Sequence, residues 1–169
     1  MDAAVAGATG CFYYSGQMWT SAERLLVHEK VYDEFVEKLR RRVAELVIGD
    51  PASEETDMGP LCNEATLERV RGHVEEARAA GAKVERFGQE HDLYYPPTIL
   101  TDVTTEMRIM QEETFGPVAP ILKIASAREA VEIANRSSLG LIASLWTRDL
   151  AVARQRSAAA WVRQHQRDQ

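Results

Sequence analysis

Cysteine is scarce in this chain, with two among 169 residues, Cys11 and Cys62. Their separation matches no metal-binding or redox spacing, and no His or Lys flanks Cys11 to lower a thiol pKa. Both read as inert thiols of a reduced compartment. No apolar run approaches the length of a membrane span. The start, Met1-Asp2-Ala3-Ala4, lacks the basic region and greasy core of a secretion signal. Basic charge is also in deficit: 20 Lys and Arg stand against 26 Asp and Glu, a net charge of −6. A surface of that sign offers no electrostatic footprint to nucleic acid. These absences point to a cytoplasmic protein with neither nucleic acid nor membrane as a partner. Repeats and low-complexity stretches are missing too.

What is present is an ordinary globular composition, 45% hydrophobic and 27% charged, of single-domain length. Residues 2–12 are Ala/Gly-rich and helical in character. Arg24 to His28 forms a short apolar strand. Val31, Phe35, Leu39, Val43 and Leu46 recur at helical spacing, predicting a helix over 31–47 stopped by Gly49-Asp50-Pro51. Asn63 caps a second helix carrying Leu67, Val70, Val74 and Ala77, closed by Gly81. Strands follow at Lys83 to Phe87, Thr98 to Leu100 and Val118 to Ile124. Ser126 and Glu129 form a capping box for a helix holding Val131 and Ile133. A strand at Ile142 to Trp146 and a helix from Leu150 to about Ala159 complete the pattern. Alternating strands and helices predict an α/β fold: a three-layer αβα arrangement around a mostly parallel, doubly wound sheet.

Four blocks carry a further signal. Gly16-Gln17-Met18-Trp19-Thr20-Ser21 precedes Arg24 and Val27. Gly59-Pro60-Leu61 leads into a helix. Glu112-Glu113-Thr114-Phe115-Gly116-Pro117 precedes the most apolar strand. Asn135, Gly140-Leu141, Ala143-Ser144 and Trp146-Thr147-Arg148-Asp149 follow. In this order they resemble the catalytic half of the aldehyde dehydrogenase superfamily, from about Asp2 to about Val162. That resemblance implies a catalytic domain over residues 1–162, with a polar tail at 163–169. It also implies an upstream dinucleotide-binding domain, with a general-base Glu and an oxyanion-hole Asn, and a downstream oligomerisation arm. None of these lies within the 169 residues. The chain reads either as a fragment or as a short product with its own task.

The first block departs from the family where chemistry is decided. The family pattern is Gly-Gln-any-Cys, and Trp19 occupies the cysteine's place. A thiolate attacks a carbonyl carbon; an indole carries one N–H donor and no nucleophile. Trp19 is therefore expected to remove covalent catalysis and to fill the space of a substrate carbonyl. Tyr14 and Leu139 also differ from common family choices, so both a rebuilt pocket and simple decay account for the changes. Tyr13, Tyr14 and Trp19 could line an apolar pocket or a partner surface, and core packing explains such clusters equally well. By resemblance Glu113 would accept hydrogen bonds from the nicotinamide ribose of NAD, with Phe115 packing beside it, as a vestigial cofactor site. Alternatively Glu112 and Glu113 only order the turn. If acid–base work survives, Glu113 beside Tyr14 and Trp19 is its candidate group. His28, His73 and the run Arg40-Arg41-Arg42 read as ordinary structural or solvated residues.

Three functions fit these features. The first is a repurposed domain that binds or transforms a small molecule without redox chemistry. The second is half of a split NAD(P)-dependent oxidoreductase, which needs a dinucleotide-binding partner; no cofactor is expected on this chain alone, and no metal. The third is a non-catalytic interaction module. A homo-oligomer, most simply a dimer, is expected because a chain without the upstream domain exposes a face that was once interface, and exposed apolar area tends to find a partner.

Overall fold

A computed structural model describes residues 3–138 and 140–157. Its elements in chain order are α1 (Ala3–Phe12), β1 (Leu25–His28), α2 (Glu29–Ala44), α3 (Glu64–Ala79), β2 (Lys83–Arg86), β3 (Thr98–Thr101), β4 (Val118–Ile124), α4 (Ala127–Arg136) and α5 (Leu150–Ser157). Short 3₁₀ turns occupy Tyr13–Gly16 and Arg108–Met110. The four strands form one sheet in the order β1-β4-β3-β2. β4 runs parallel to both β1 and β3, while β2 is antiparallel to β3.

Period-2 alternation along the strands divides the core into two layers. Val27, Ile99, Ala119 and Ile121 face α1 and α2, meeting Phe12, Tyr32, Val36 and Leu39. Leu26, Leu100, Val118 and Leu122 face the other way, toward Leu67, Val70, Val74 and Ala77 of α3. The expected αβα sandwich and mostly parallel sheet are therefore present. All four residues of β3 are buried, as a strand covered on both faces requires.

β4 holds a proline at its centre, which would ordinarily break a ladder. The register explains its tolerance. Val118, Ala119 and Pro120 pair with β3, whereas Ile121 to Ile124 pair with β1. Pro120 sits where the strand passes from one neighbour to the other, so its missing N–H falls at the end of a ladder rather than within one.

Helix ends follow the expected side-chain chemistry. The Asn63 carboxamide accepts from the Thr66 N–H at 2.8 Å, and the Ser126 hydroxyl accepts from the Glu129 N–H at 3.1 Å. Glu129 reaches back to the Ala125 N–H at 2.7 Å, so the Ser126/Glu129 box is formed. α2 begins at Glu29, earlier than periodicity suggests, because the His28 ring accepts from the Lys30 N–H and caps it. It also ends earlier, at Ala44, well before Gly49.

One expected element is absent. Residues 140–149 form no strand, and Leu141, Ile142, Leu145 and Trp146 are all exposed. A strand exists only with a ladder beside it, and among the described residues β1 pairs with β4 alone. α4 likewise buries none of its residues fully. Leu139, Ala158 to Val162 and the polar tail 163–169 lie outside the described residues. No helix among the described residues is long and apolar enough to cross a membrane.

Gly72 is exposed within α3, and a Cβ there would meet nothing within 4 Å. Gly72→Ala should therefore stabilise the fold by about 1 kcal/mol, through helix propensity alone. An unchanged or lower urea midpoint, at constant slope, would contradict this.

Candidate functional site

Two of the sequence blocks lead into neighbouring parallel strands. Residues 13–24 enter β1, and residues 111–117 enter β4. Because β1 and β4 are parallel and paired from Leu25↔Ile121 onward, their entering loops must lie side by side at the same end of the sheet. Topology thus brings distant motifs together.

Contact between the loops is backbone to backbone. A Cβ on Gly16 would stand 2.1 Å from the Gly116 carbonyl oxygen and 2.9 Å from that of Cys11. A Cβ on Gly116 would stand 2.3 Å from Val70 Cγ2 of α3. Only glycine permits either approach. Approaching this contact, the first loop turns left-handed over three consecutive residues, Tyr14 (φ 51°), Ser15 (φ 57°) and Gly16 (φ 70°). Each non-glycine residue in that region costs about 1–2 kcal/mol. Side-chain bonds to the Gly59-Pro60-Leu61 block hold the turn. The buried Ser15 hydroxyl donates to the Gly59 carbonyl at 2.7 Å. The Gln17 carboxamide accepts from the Cys62 N–H at 2.7 Å and donates to the Pro60 carbonyl at 3.2 Å. Arg24 closes the loop by donating to the Met110 carbonyl at 3.2 Å.

The same turn directs the aromatic side chains outward. Tyr13 and Tyr14 are exposed and meet edge to face, with centroids 4.7 Å apart. Trp19 is 82% exposed. Among the described residues its ring stands in solvent, on a loop whose backbone is fixed from beneath. Two shallow clefts among the described residues lie elsewhere. One, of about 190 Å³, is lined by Phe12, Tyr13, Arg42 and Met58 among others; the second is lined by Gln89, His91 and Tyr94. Neither includes Tyr14, Trp19, Glu113 or Phe115.

The acidic pair on the second loop divides into two roles. Glu112 accepts from Arg108 Nε at 2.8 Å, and this bond holds its carboxyl below the usual range. Glu113 is exposed and makes no hydrogen bond or ion pair among the described residues. Its carboxylate is free to accept two donors, as a ribose diol requires. Phe115 is half-buried with φ 54°. These two residues fit the ribose end of a dinucleotide.

Glu23 and Arg69, which sequence reasoning did not single out, and His73, read there as an ordinary structural residue, secure Thr114 between them. The Glu23 carboxylate accepts from the Thr114 N–H at 2.9 Å and the Phe115 N–H at 3.0 Å. Arg69 Nε donates to the Thr114 carbonyl at 3.0 Å. His73 Nδ1 lies 3.0 Å from the Thr114 hydroxyl. His73 is buried, and its other nitrogen stands 3.4 Å from a Glu112 oxygen without hydrogen-bonding geometry. Desolvation, with Arg108 nearby, pushes its pKa down and keeps the ring neutral near pH 7. The available sequence signal was His73's position within the apolar stripe of its helix, where a polar group needs a partner. Cys11 is buried and donates to the Ala22 carbonyl at 3.2 Å; burial, reinforced by Glu23, raises its pKa steeply and leaves the thiol unionised.

Gly16→Ala should be severely destabilising, by about 3 kcal/mol or more, since it combines positive φ with a backbone clash. A chemical-denaturation midpoint close to that of the parent would contradict the glycine–glycine contact.

Comparison with known proteins agrees with this geometry. Residues 1–162 match the profile of the aldehyde dehydrogenase family. The chain is 44% identical over 153 residues to the NADP(+) succinate-semialdehyde dehydrogenase 1 of Mycobacterium tuberculosis, covering 88% of this chain and 34% of that protein. It is 45% identical over 155 residues to the NAD(+) benzaldehyde dehydrogenase of Pseudomonas putida, covering 89% and 32%. Among solved structures, the NADP-dependent glyceraldehyde-3-phosphate dehydrogenase of Bacillus halodurans superposes with a TM-score of 0.90 at 32% identity, covering 96% of this chain and 35% of that one. The chain spans about a third of the length of the curated relatives it matches. With its signature blocks in family order, the first three braced against one another on the α/β sheet, this chain belongs to the aldehyde dehydrogenase family.

Proposed function

We propose that this chain presents the family's signature loop as a non-covalent binding face, on which Trp19 and Tyr14 receive an apolar or aromatic compound and Glu113 supplies a hydrogen-bond acceptor or acid–base group. The observation that carries this reading is the exposed Trp19 ring on a loop whose backbone is held by Ser15, Gln17 and Gly16. The loop's backbone is held as a scaffold for a positioned side chain, and the side chain it presents at position 19 is an indole. An indole forms no adduct with a carbonyl carbon, so the bond that precedes hydride transfer in a cysteine-based dehydrogenase has no donor at position 19. What position 19 offers instead is a large flat face for stacking.

NAD(P) enters this reading only with a further surface for its pyrophosphate and adenine, contributed by other residues of a larger polypeptide or by a partner. Glu113 would then accept from the ribose hydroxyls and Phe115 would pack beside them. The bound nicotinamide supplies hydride acceptance.

The indole N–H resonance of Trp19 should shift on titration with benzyl alcohol and should not shift with ethanol at equal concentration. Equal responses would remove the stacking role. Trp19→Cys should acquire an alkylatable thiol yet form no NADH from benzaldehyde and NAD+ on this chain alone. NADH production by that variant would overturn the reading.

A second reading, self-association, is favoured by the run of exposed apolar side chains Leu141, Ile142, Leu145, Trp146 and Leu150. On this view a second copy covers that segment in a dimer. Sedimentation should then show a concentration-dependent mass that Trp146→Glu returns to the monomer; a monomer at all concentrations would exclude it.

A further inference from the structure

Thr114 is 2% exposed and has all of its polar groups occupied by side chains from two separate regions. Glu23, at the end of the signature loop, takes its N–H; Arg69 and His73, one turn apart on α3, take its carbonyl and hydroxyl. The same Glu23 carboxylate also takes the Phe115 N–H, using both oxygens at once. The residues on either side of Thr114 are Glu113 and Phe115, the two groups assigned to ligand contact. Fixing Thr114 in three directions leaves those neighbours little freedom in how they leave the chain.

We propose that Glu23, Arg69 and His73 are positioning residues that lock Thr114 and thereby aim Glu113 and Phe115, mechanically joining the signature loop to the acidic loop. The assignment rests on the proposed reading of Glu113 and Phe115 as ligand-facing. Its structural basis, a carboxylate bridging two successive backbone amides across 91 and 92 residues of sequence, is independent of any ligand. Bonds to an ionised acceptor are the strong ones, and a glutamine keeps the shape while offering a single acceptor oxygen. Its NH₂ would face one of the two amides donor to donor.

The lock also has a proton dependence of defined sign. Only ionised Glu23 can accept from both amides with full strength. Burial raises its pKa and the Thr114 and Phe115 amides lower it; Glu113 across the loop raises it again and the adjacent Arg24 lowers it, with a net upward shift. The remaining titratable neighbour, Cys11 on α1, is unionised. Acidification should therefore release the two amides at a pH above the ordinary carboxylate range.

Amide NMR on the intact chain tests this without any ligand. The Thr114 and Phe115 amide resonances should titrate together with that elevated midpoint, and should exchange with solvent about tenfold or more faster in Glu23→Gln, while β4 amides keep their protection. Unchanged exchange and an unchanged titration at both amides in a folded Glu23→Gln would overturn the assignment. Should that variant fail to fold, Arg69→Gln serves in its place. Arg69 is exposed, so the fold tolerates the change; loss of the Thr114 carbonyl's donor should raise exchange at 114 and 115, and no change there would equally overturn the lock. The benzyl alcohol titration reads Trp19 alone, so failure of ligand binding and failure of the lock are separate results.

Discussion

The site depends on a backbone contact so close that a Cβ on either partner would collide with its neighbour. That contact lies at the centre of the candidate site, where Gly16 lies against Gly116 and Gly116 lies against Val70. Three blocks widely separated in sequence meet through that contact: the signature loop, the acidic loop and the helix that follows Gly59-Pro60-Leu61. The left-handed turn at Tyr14 and Ser15 exists to deliver Gly16 to this position, and its strain is offset by the bonds of Ser15 and Gln17. The site is therefore a consequence of packing first. Its chemistry is added on the outer side.

The sheet reinforces this arrangement. Open α/β sheets commonly bind ligands beyond the carboxyl ends of their strands. Here the braced loops precede β1 and β4, at the amino ends. Parallel pairing forces the loops together, and the proline handover within β4 lets one strand serve β3 with its first half and β1 with its second. A central strand that changes neighbours midway keeps both loops close without a wider sheet.

Much of the scaffold was legible in the sequence because its signals are local. Asn63 and Ser126 announce their helices by side-chain chemistry within three residues, and the apolar stripe of Leu67, Val70, Val74 and Ala77 is a periodicity within one turn of itself. The family blocks were likewise contiguous. What could not be read is long-range: Glu23 meets Phe115 across 92 residues, Arg69 meets Thr114 across 45 and His73 meets it across 41. No spacing rule links such positions. The expected strand at Ile142 to Trp146 failed for the opposite reason. Its composition suits a strand, but hydrogen bonding is a property of pairs, and no described strand lies beside it. The exposure of the Trp19 indole was not legible either, because a residue's place in a motif says nothing of which way a left-handed turn will point it.

That outward orientation has an evolutionary consequence. Since the fold neither packs the ring of residue 19 nor depends on it, the cell's folding machinery has no means of distinguishing a nucleophile from an indole there. A change of side chain at position 19 therefore costs the described core no packing. The glycines beneath enjoy no comparable licence, and drift is channelled to the rim.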